Sequence, residues 1–339
     1  MFVGKHNFAS YGIHVMSVAA VVLIVSPGNA VLGQQNYEYS DVNSGSAGMS
    51  GHSVFTSEYP TYDEVMLPDQ QPFFRETMTG LRHRNNDESG ILPSGLLYRS
   101  YIAAPHESRF ATILNYNISK GDWRWDSTLG GRVGLFRQNQ PAIAALDVWQ
   151  IDLEGAALPR LDPQLQMDVE SIDYRFGLLW TARQDNVAFK FGYFHISSHV
   201  GDEFLSKNPD FQRDNFVRES LIVGSTLNPT PNVRLYGEFA WAFAYSGGAR
   251  PLQFQLGAEH TSLPDSPGHG APFSAVNLQL RQEVNYAAGV TAMSGWQWTG
   301  PDSGRTMRVG LHYYNGPTNQ FEFFRRYDNQ IGTGVWFDY

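Results

Sequence analysis

The stretch that decides the fold is Val233-Arg234-Leu235-Tyr236-Gly237-Glu238-Phe239-Ala240-Trp241-Ala242-Phe243-Ala244-Tyr245. Its odd positions read Val, Leu, Gly, Phe, Trp, Phe, Tyr, and its even positions Arg, Tyr, Glu, Ala, Ala, Ala. Successive side chains of a strand point to opposite faces, so this segment has one greasy face and one polar or small face. The same period of two runs from about Phe110 to the last residue. Strands of soluble proteins are usually about five or six residues long, and many of these segments run past ten. Long alternating strands with aromatics near their ends are the pattern of a transmembrane β-barrel.

Composition agrees. Of 339 residues 42% are hydrophobic, which is low for a helical membrane protein and suits a barrel with a polar interior. Aromatic residues make up 14%, as the two interfacial girdles of a barrel require. The net charge of −9, with no basic tract, makes nucleic acid an unexpected partner. The absence of cysteine excludes a disulfide framework, a thiolate metal site and a lipidated N-terminal cysteine.

The chain begins with Lys5 and His6, an apolar run over 13–25, and small residues at Gly28-Asn29-Ala30 and Gly33. This reads as a secretory signal over 1–33, cut after Ala30 or Gly33, since the run is shorter than the ~20 residues of a spanning helix. Residues 34–94 form an N-terminal extension. Its first part is rich in Ser, Gly, Asn and Tyr and reads as disordered. Its second part, 61–94, reads as a periplasmic or barrel-plugging segment with a short helix around 71–81. The barrel domain is 95–339.

Twelve strand segments are expected, at 108–118, 122–137, 146–157, 169–183, 186–199, 215–227, 231–245, 251–261, 274–283, 285–298, 305–315 and 328–339. An even count is the rule for single-chain bacterial barrels. The parity puts Trp123, Trp125, Leu129, Val133 and Leu135 outward, and likewise Tyr174, Phe176, Leu178 and Trp180. Inward lie Arg124, Arg132, Arg175, Lys190, Arg234, Arg281 and Arg308, against Asp126, Asp152, Glu154, Asp173, Glu238, Glu259 and Glu283. Balanced long side chains in a narrow barrel salt-link across the lumen and partly fill it, whereas a strongly selective pore shows an excess of one sign.

The densest cluster of reactive residue types is Phe191-Gly192-Tyr193-Phe194-His195-Ile196-Ser197-Ser198-His199-Val200-Gly201-Asp202-Glu203. Parity turns His195 and Ser197 toward lipid near the outer end of the fifth segment, with Phe194 and Ile196 as apolar intruders on the inner face. A His and a Ser two apart on one strand face stand about 6–7 Å apart at Cα. The imidazole is then within reach of the serine proton, the first requirement of an activated nucleophile. The histidine needs a third group to orient it, and the next segment offers Asn215 or Glu219. Asp202 and Glu203 suit a hard cation such as calcium, or simply solvate the loop. Polar residues at a strand's outer end also meet lipid headgroups without doing any chemistry. His260, His269 and His312 read as isolated strand or loop residues.

Three resemblances bear on this reading. The C-terminal Gly334-Val335-Trp336-Phe337-Asp338-Tyr339 resembles the signal that outer-membrane barrels present to their insertion machinery, with Gly334, Phe337 and Tyr339 as its marked positions. His195-Ile196-Ser197 resembles the His-x-Ser motif that outer-membrane phospholipase A and lipid A deacylase carry on a lipid-facing strand; the following residue, asparagine in both enzymes, is Ser198 here. Finally, Leu92-Pro93-Ser94-Gly95-Leu96-Leu97-Tyr98-Arg99-Ser100-Tyr101, Pro105-His106-Glu107-Ser108-Arg109-Phe110 and the stretch 195–203 resemble an uncharacterised bacterial family, number 1207 among domains of unknown function. That resemblance implies a bacterial outer-membrane location and brings no activity with it.

The sequence therefore specifies an all-β, transmembrane antiparallel barrel of about twelve strands in contact with outer-membrane lipids. Three roles stay open. One is a structural or narrow-pore barrel. The second is a lipid acyl hydrolase with Ser197 as nucleophile, His195 as base and Glu219 or Asn215 as orienter, using calcium if Asp202 and Glu203 hold it. The third is a barrel that binds a partner through external loops such as 200–214.

Overall fold

The computed structural model describes residues 89–139, 148–262, 264, 269–301 and 303–339. The expected signal, the extension as far as residue 88 with its helix at 71–81, and residues 140–147 lie outside the described residues. A two-residue strand, β1 (Gly90–Ile91), is followed by twelve long ones: β2 (Phe110–Asn117), β3 (Asp122–Asn139), β4 (Val148–Asp162), β5 (Asp168–Gln184), β6 (Val187–Val200), β7 (Val217–Thr230), β8 (Val233–Ser246), β9 (Leu252–Thr261), β10 (Ala271–Arg281), β11 (Ala288–Thr299), β12 (Thr306–Pro317) and β13 (Tyr327–Asp338). Each pairs antiparallel with its sequence neighbours, and β13 pairs with β2 from Phe337↔Phe110 to Gln330↔Asn117. The sheet thus closes into a twelve-stranded barrel with no free edge, which satisfies every strand's backbone within the wall. No described helix is long and apolar enough to cross a membrane.

The alternation holds around the wall. On β8, Leu235, Phe239, Trp241, Phe243 and Tyr245 are exposed on the outside while Arg234, Tyr236, Ala240 and Ala242 are buried. Two bulges correct the parity read from sequence. One falls between Gly134 and Phe136, so Phe136 rather than Leu135 joins the exposed outer face and Arg137 turns into the lumen. The other is on β8, where Glu219 pairs with Ala244 and Ser220 with Ala242. The extra residue turns Ala244 outward beside Glu219. A bulge adds one residue to one strand, and a period of two cannot reveal it.

The expected salt links are present. Arg132 pairs with Asp152 at 2.6 Å, Arg175 with Glu154 at 2.7 Å, Arg160 with Asp126 at 2.6 Å and with Asp328 at 2.9 Å, and Arg234 with Glu259 at 3.2 Å. A second task of the luminal arginines was not legible in the sequence. Residues 95–109 lie inside the barrel without regular structure, downstream of the stretch from which a plug was expected. Their carbonyls have no ladder partners and must find others. Arg137 donates to Gly95 O at 2.9 Å, Arg234 to Arg99 O at 2.7 Å and to Ser100 O at 3.1 Å, and Arg109 to Ile102 O at 3.1 Å. Glu259 accepts the Ile102 amide at 2.7 Å. Tyr101 stacks on Tyr236 at 3.8 Å between centroids, and Lys190 lies 4.4 Å from the Tyr101 ring centre. Tyr236 in turn lies flat over Gly257, where a Cβ would come within 2.2 Å of its ring. Only glycine fits there.

The opposite end is closed by residues 318–326, between β12 and β13. Phe321 is fully buried, stacks on Phe216 at 4.7 Å, and forms one apolar cluster with Phe194, Ile196, Leu179 and Ile222. The two inner-face residues that broke the alternation on β6 are therefore the seat of this loop. His106 of the plug stacks on Phe321 at 4.5 Å and hydrogen bonds Asn319 O at 2.8 Å. The two closures thus meet inside the barrel.

Candidate functional site

The site is assembled on the outer face of β6 and β7. Their register pairs His195 with Glu219, Ser197 with Val217 and Tyr193 with Leu221. Directly opposed residues on one face have Cβ atoms about 4.5–5.5 Å apart, and diagonal neighbours stay within reach of long side chains. Both relations are used. His195 Nδ1 stands 2.8 Å from Glu219 Oε1, and the diagonal Tyr193 hydroxyl donates to Glu219 Oε2. Glu219 is held at both oxygens by residues of the neighbouring strand. The His195 and Glu219 side chains keep 31% and 27% of their surface, so the pair is open to the barrel exterior. Ala244, brought beside Glu219 by the β8 bulge, leaves that approach uncrowded.

With Nδ1–H directed at the carboxylate, the lone pair of His195 lies on Nε2. That is the tautomer a general base needs. Ser197 follows on the same face, flanked across the strands by Tyr174 and Val217. Its hydroxyl forms no hydrogen bond among the described residues. Resting geometries of catalytic pairs are often longer than their reacting ones, and side-chain rotation on one strand face is the movement that would close this gap.

Of the two orienters considered, the structure brings Glu219 to His195 and not Asn215. Asn215 precedes β7, adopts a left-handed backbone (φ 54°), and gives its amide to Glu322 Oε1 at 3.1 Å. The expected common parity of 215 and 219 fails because the strand begins only at Val217. Asp202 and Glu203 are exposed in the first turn of a six-residue helix, α1 (Asp202–Lys207), where carboxylates complement the helix dipole. No group of three side chains suited to a metal ion occurs among the described residues.

Ser198, at the position where the hydrolases carry asparagine, points inward. It donates to Asp173 Oδ1 and accepts the Glu322 amide at 2.9 Å, while Asp173 Oδ2 accepts the Phe321 amide at 3.2 Å. Buried Glu322 accepts the amides of Asp214, Asn215 and Phe216. One residue beyond the outward cluster, the same strand thus anchors the closing loop. Two neighbours of the His195–Glu219 pair escaped the sequence reading. Tyr193 shares the outward parity of His195, but its bond to Glu219 depends on the register. Ala244 depends on the bulge.

No curated protein matches the sequence. Similar solved structures are outer membrane phospholipase A from Escherichia coli (TM-score 0.46, 11% identity, covering 78% of this chain and 97% of that one), an active-site mutant of that enzyme (0.49, 10%, 78% and 98%), and the Salmonella typhi phospholipase dimer with bound calcium (0.46, 11%, 78% and 98%). The family model described as "Protein of unknown function (DUF1207)" matches residues 47–339. The chain is an outer-membrane-type β-barrel that belongs to this family.

Proposed function

We propose that the protein is a closed outer-membrane barrel of a Gram-negative-type envelope whose outer face hydrolyses acyl esters of membrane lipids. The observation that carries this reading is the Tyr193–Glu219–His195 arrangement: a carboxylate fixed at both oxygens, holding an imidazole on the lipid-facing side of the wall two residues from a serine. Ionisable groups facing lipid are costly, and where they occur they are usually functional. In the proposed reaction Ser197 Oγ attacks the ester carbonyl and His195 Nε2 takes its proton. His195 returns that proton to the departing alcohol, and water then releases the acyl group from Ser197. Glu219 holds the imidazole and stabilises its cation. The His195-Ile196-Ser197 resemblance and the lipid-facing position favour a membrane lipid as substrate.

A second reading, a passive structural barrel, is favoured by the double closure of the lumen. The test is fatty-acid release by the refolded full chain from phospholipid micelles, with and without calcium, beside Ser197→Ala. Release by the parent alone supports the hydrolase. Silence from both, with the barrel shown to be folded, leaves the passive reading. Dependence on calcium would implicate Asp202 and Glu203 or other oxygen ligands near the site.

A further inference from the structure

At the end of the barrel where the plug starts, the described residues leave a space unfilled. A cavity of about 90 Å³ opens between plug and wall, lined by Arg99 of the plug and by Arg234, Glu259, Arg308 and Asp338 of the wall, with Tyr339 at its edge. A water occupies about 30 Å³ of liquid, so this is room for a few waters or one small ion. The wall charges are largely committed. Arg234 spends all three nitrogens on Thr226, Glu259 and the carbonyls of Arg99 and Ser100. Glu259 is taken by Arg234 and the Ile102 amide, and Asp338 by Arg308 with Arg109 at 3.4 Å.

Two donors remain. Arg308 uses Nε on Gln297 and Nη1 on Asp338, which leaves Nη2 without a partner among the described residues. Arg99 is freer still: its guanidinium has no hydrogen bond and no carboxylate within ion-pairing distance among the described residues. It is half-buried in the cavity wall. Burial and the nearby Arg234 and Arg308 charges pull its pKa down to about 10, against the raising effect of Glu259 and Asp338. The two nearby carboxylates are engaged by Arg234, Arg308 and Arg109 rather than by Arg99, and a desolvated cation without a direct partner is unfavourable unless a counter-charge joins it.

We propose that this cavity binds a compact oxyanion of phosphate size, gripped by the Arg99 fork and by Arg308 Nη2. Guanidinium donors match phosphate and carboxylate geometry bidentately. The plug behind it is tied to the wall through Glu259, Arg234 and Arg109.

The Arg99 side chain makes no hydrogen bond or ion pair among the described residues, so its replacement removes none of the bonds that hold the plug. Inorganic phosphate is titrated calorimetrically into the refolded full chain at constant ionic strength, and acetate is run in parallel to separate phosphate-type from carboxylate-type binding. Saturable one-site phosphate binding is expected, weakened at least tenfold in Arg99→Gln and less in Arg99→Lys. Ser197→Ala should bind as the parent does, so the result stands apart from any hydrolytic activity. Absence of saturable binding to the parent, equal affinity in Arg99→Gln, or a preference for acetate over phosphate would each overturn the proposal.

Discussion

Adjacent residues 218 and 219 of β7 show how differently the two faces of one wall treat charge. Arg218 points inward, is fully buried, and divides its guanidinium among Ser220, Gln253 and the carbonyl of Pro251. Glu219 points outward and, among the described residues, binds a tyrosine and a histidine from the preceding strand. Inside, apart from Arg99 and one nitrogen of Arg308, charge serves the fold: the polar lumen and the irregular plug satisfy each other. Outside, the fold asks for apolar side chains, and the Glu219–His195 pair stands out among them. The contrast separates charges that hold the barrel together from a pair that the proposed hydrolysis would use.

That contrast can be broken experimentally, and the largest effect belongs to the outer face. Ser197→Ala should lower lipid-ester hydrolysis by about 10³-fold or more with unfolding unchanged, because members of a nucleophile–base unit fail together. The mirror experiment is in the lumen. Glu259→Ala leaves Arg234 buried without its counter-ion and the Ile102 amide without an acceptor; it should cost about 3–5 kcal/mol in denaturant unfolding while hydrolysis per folded molecule is retained. If Glu259→Ala abolished hydrolysis in a fully folded barrel, the division between the faces would be lost. Glu219→Gln, which keeps the shape of the orienter without its charge, should slow hydrolysis by about 10²-fold, read from initial rates. Tyr193→Phe sharpens the picture most gently. Loss of one hydrogen bond to Glu219 is worth about 1 kcal/mol, roughly a fivefold rate effect, with KM nearly unchanged because the tyrosine acts through Glu219.

The wall was legible in the sequence and its contents were not. Segments such as 231–245 and 169–183 correspond to β8 and β5 within two residues, because a half-lipid, half-lumen strand must alternate. The salt-linked interior followed from the balance of inward charges. What period and parity could not carry were events involving a single extra residue or a distant partner. The bulges at 134–136 and on β8 reset the parity of Leu135 and Ala244. Phe194 and Ile196 read as flaws until Phe321, more than a hundred residues later, was found packed against them. The plug has no periodicity at all, and its sequence gives no hint that Arg137, Arg234 and Arg109 would bind its carbonyls. At the site, His195 and Ser197 were found from spacing, whereas the choice of Glu219 over Asn215 needed the point where β7 begins.

The most direct test of the outward-facing nucleophile is covalent. The folded protein is treated in detergent with a long-chain alkyl fluorophosphonate, whose phosphorus is attacked by an activated serine oxygen with loss of fluoride, and the labelled peptide is located by mass spectrometry. One adduct is expected, on Ser197, lost in His195→Ala. A folded barrel that takes no label, or takes it at another residue, would contradict that expectation.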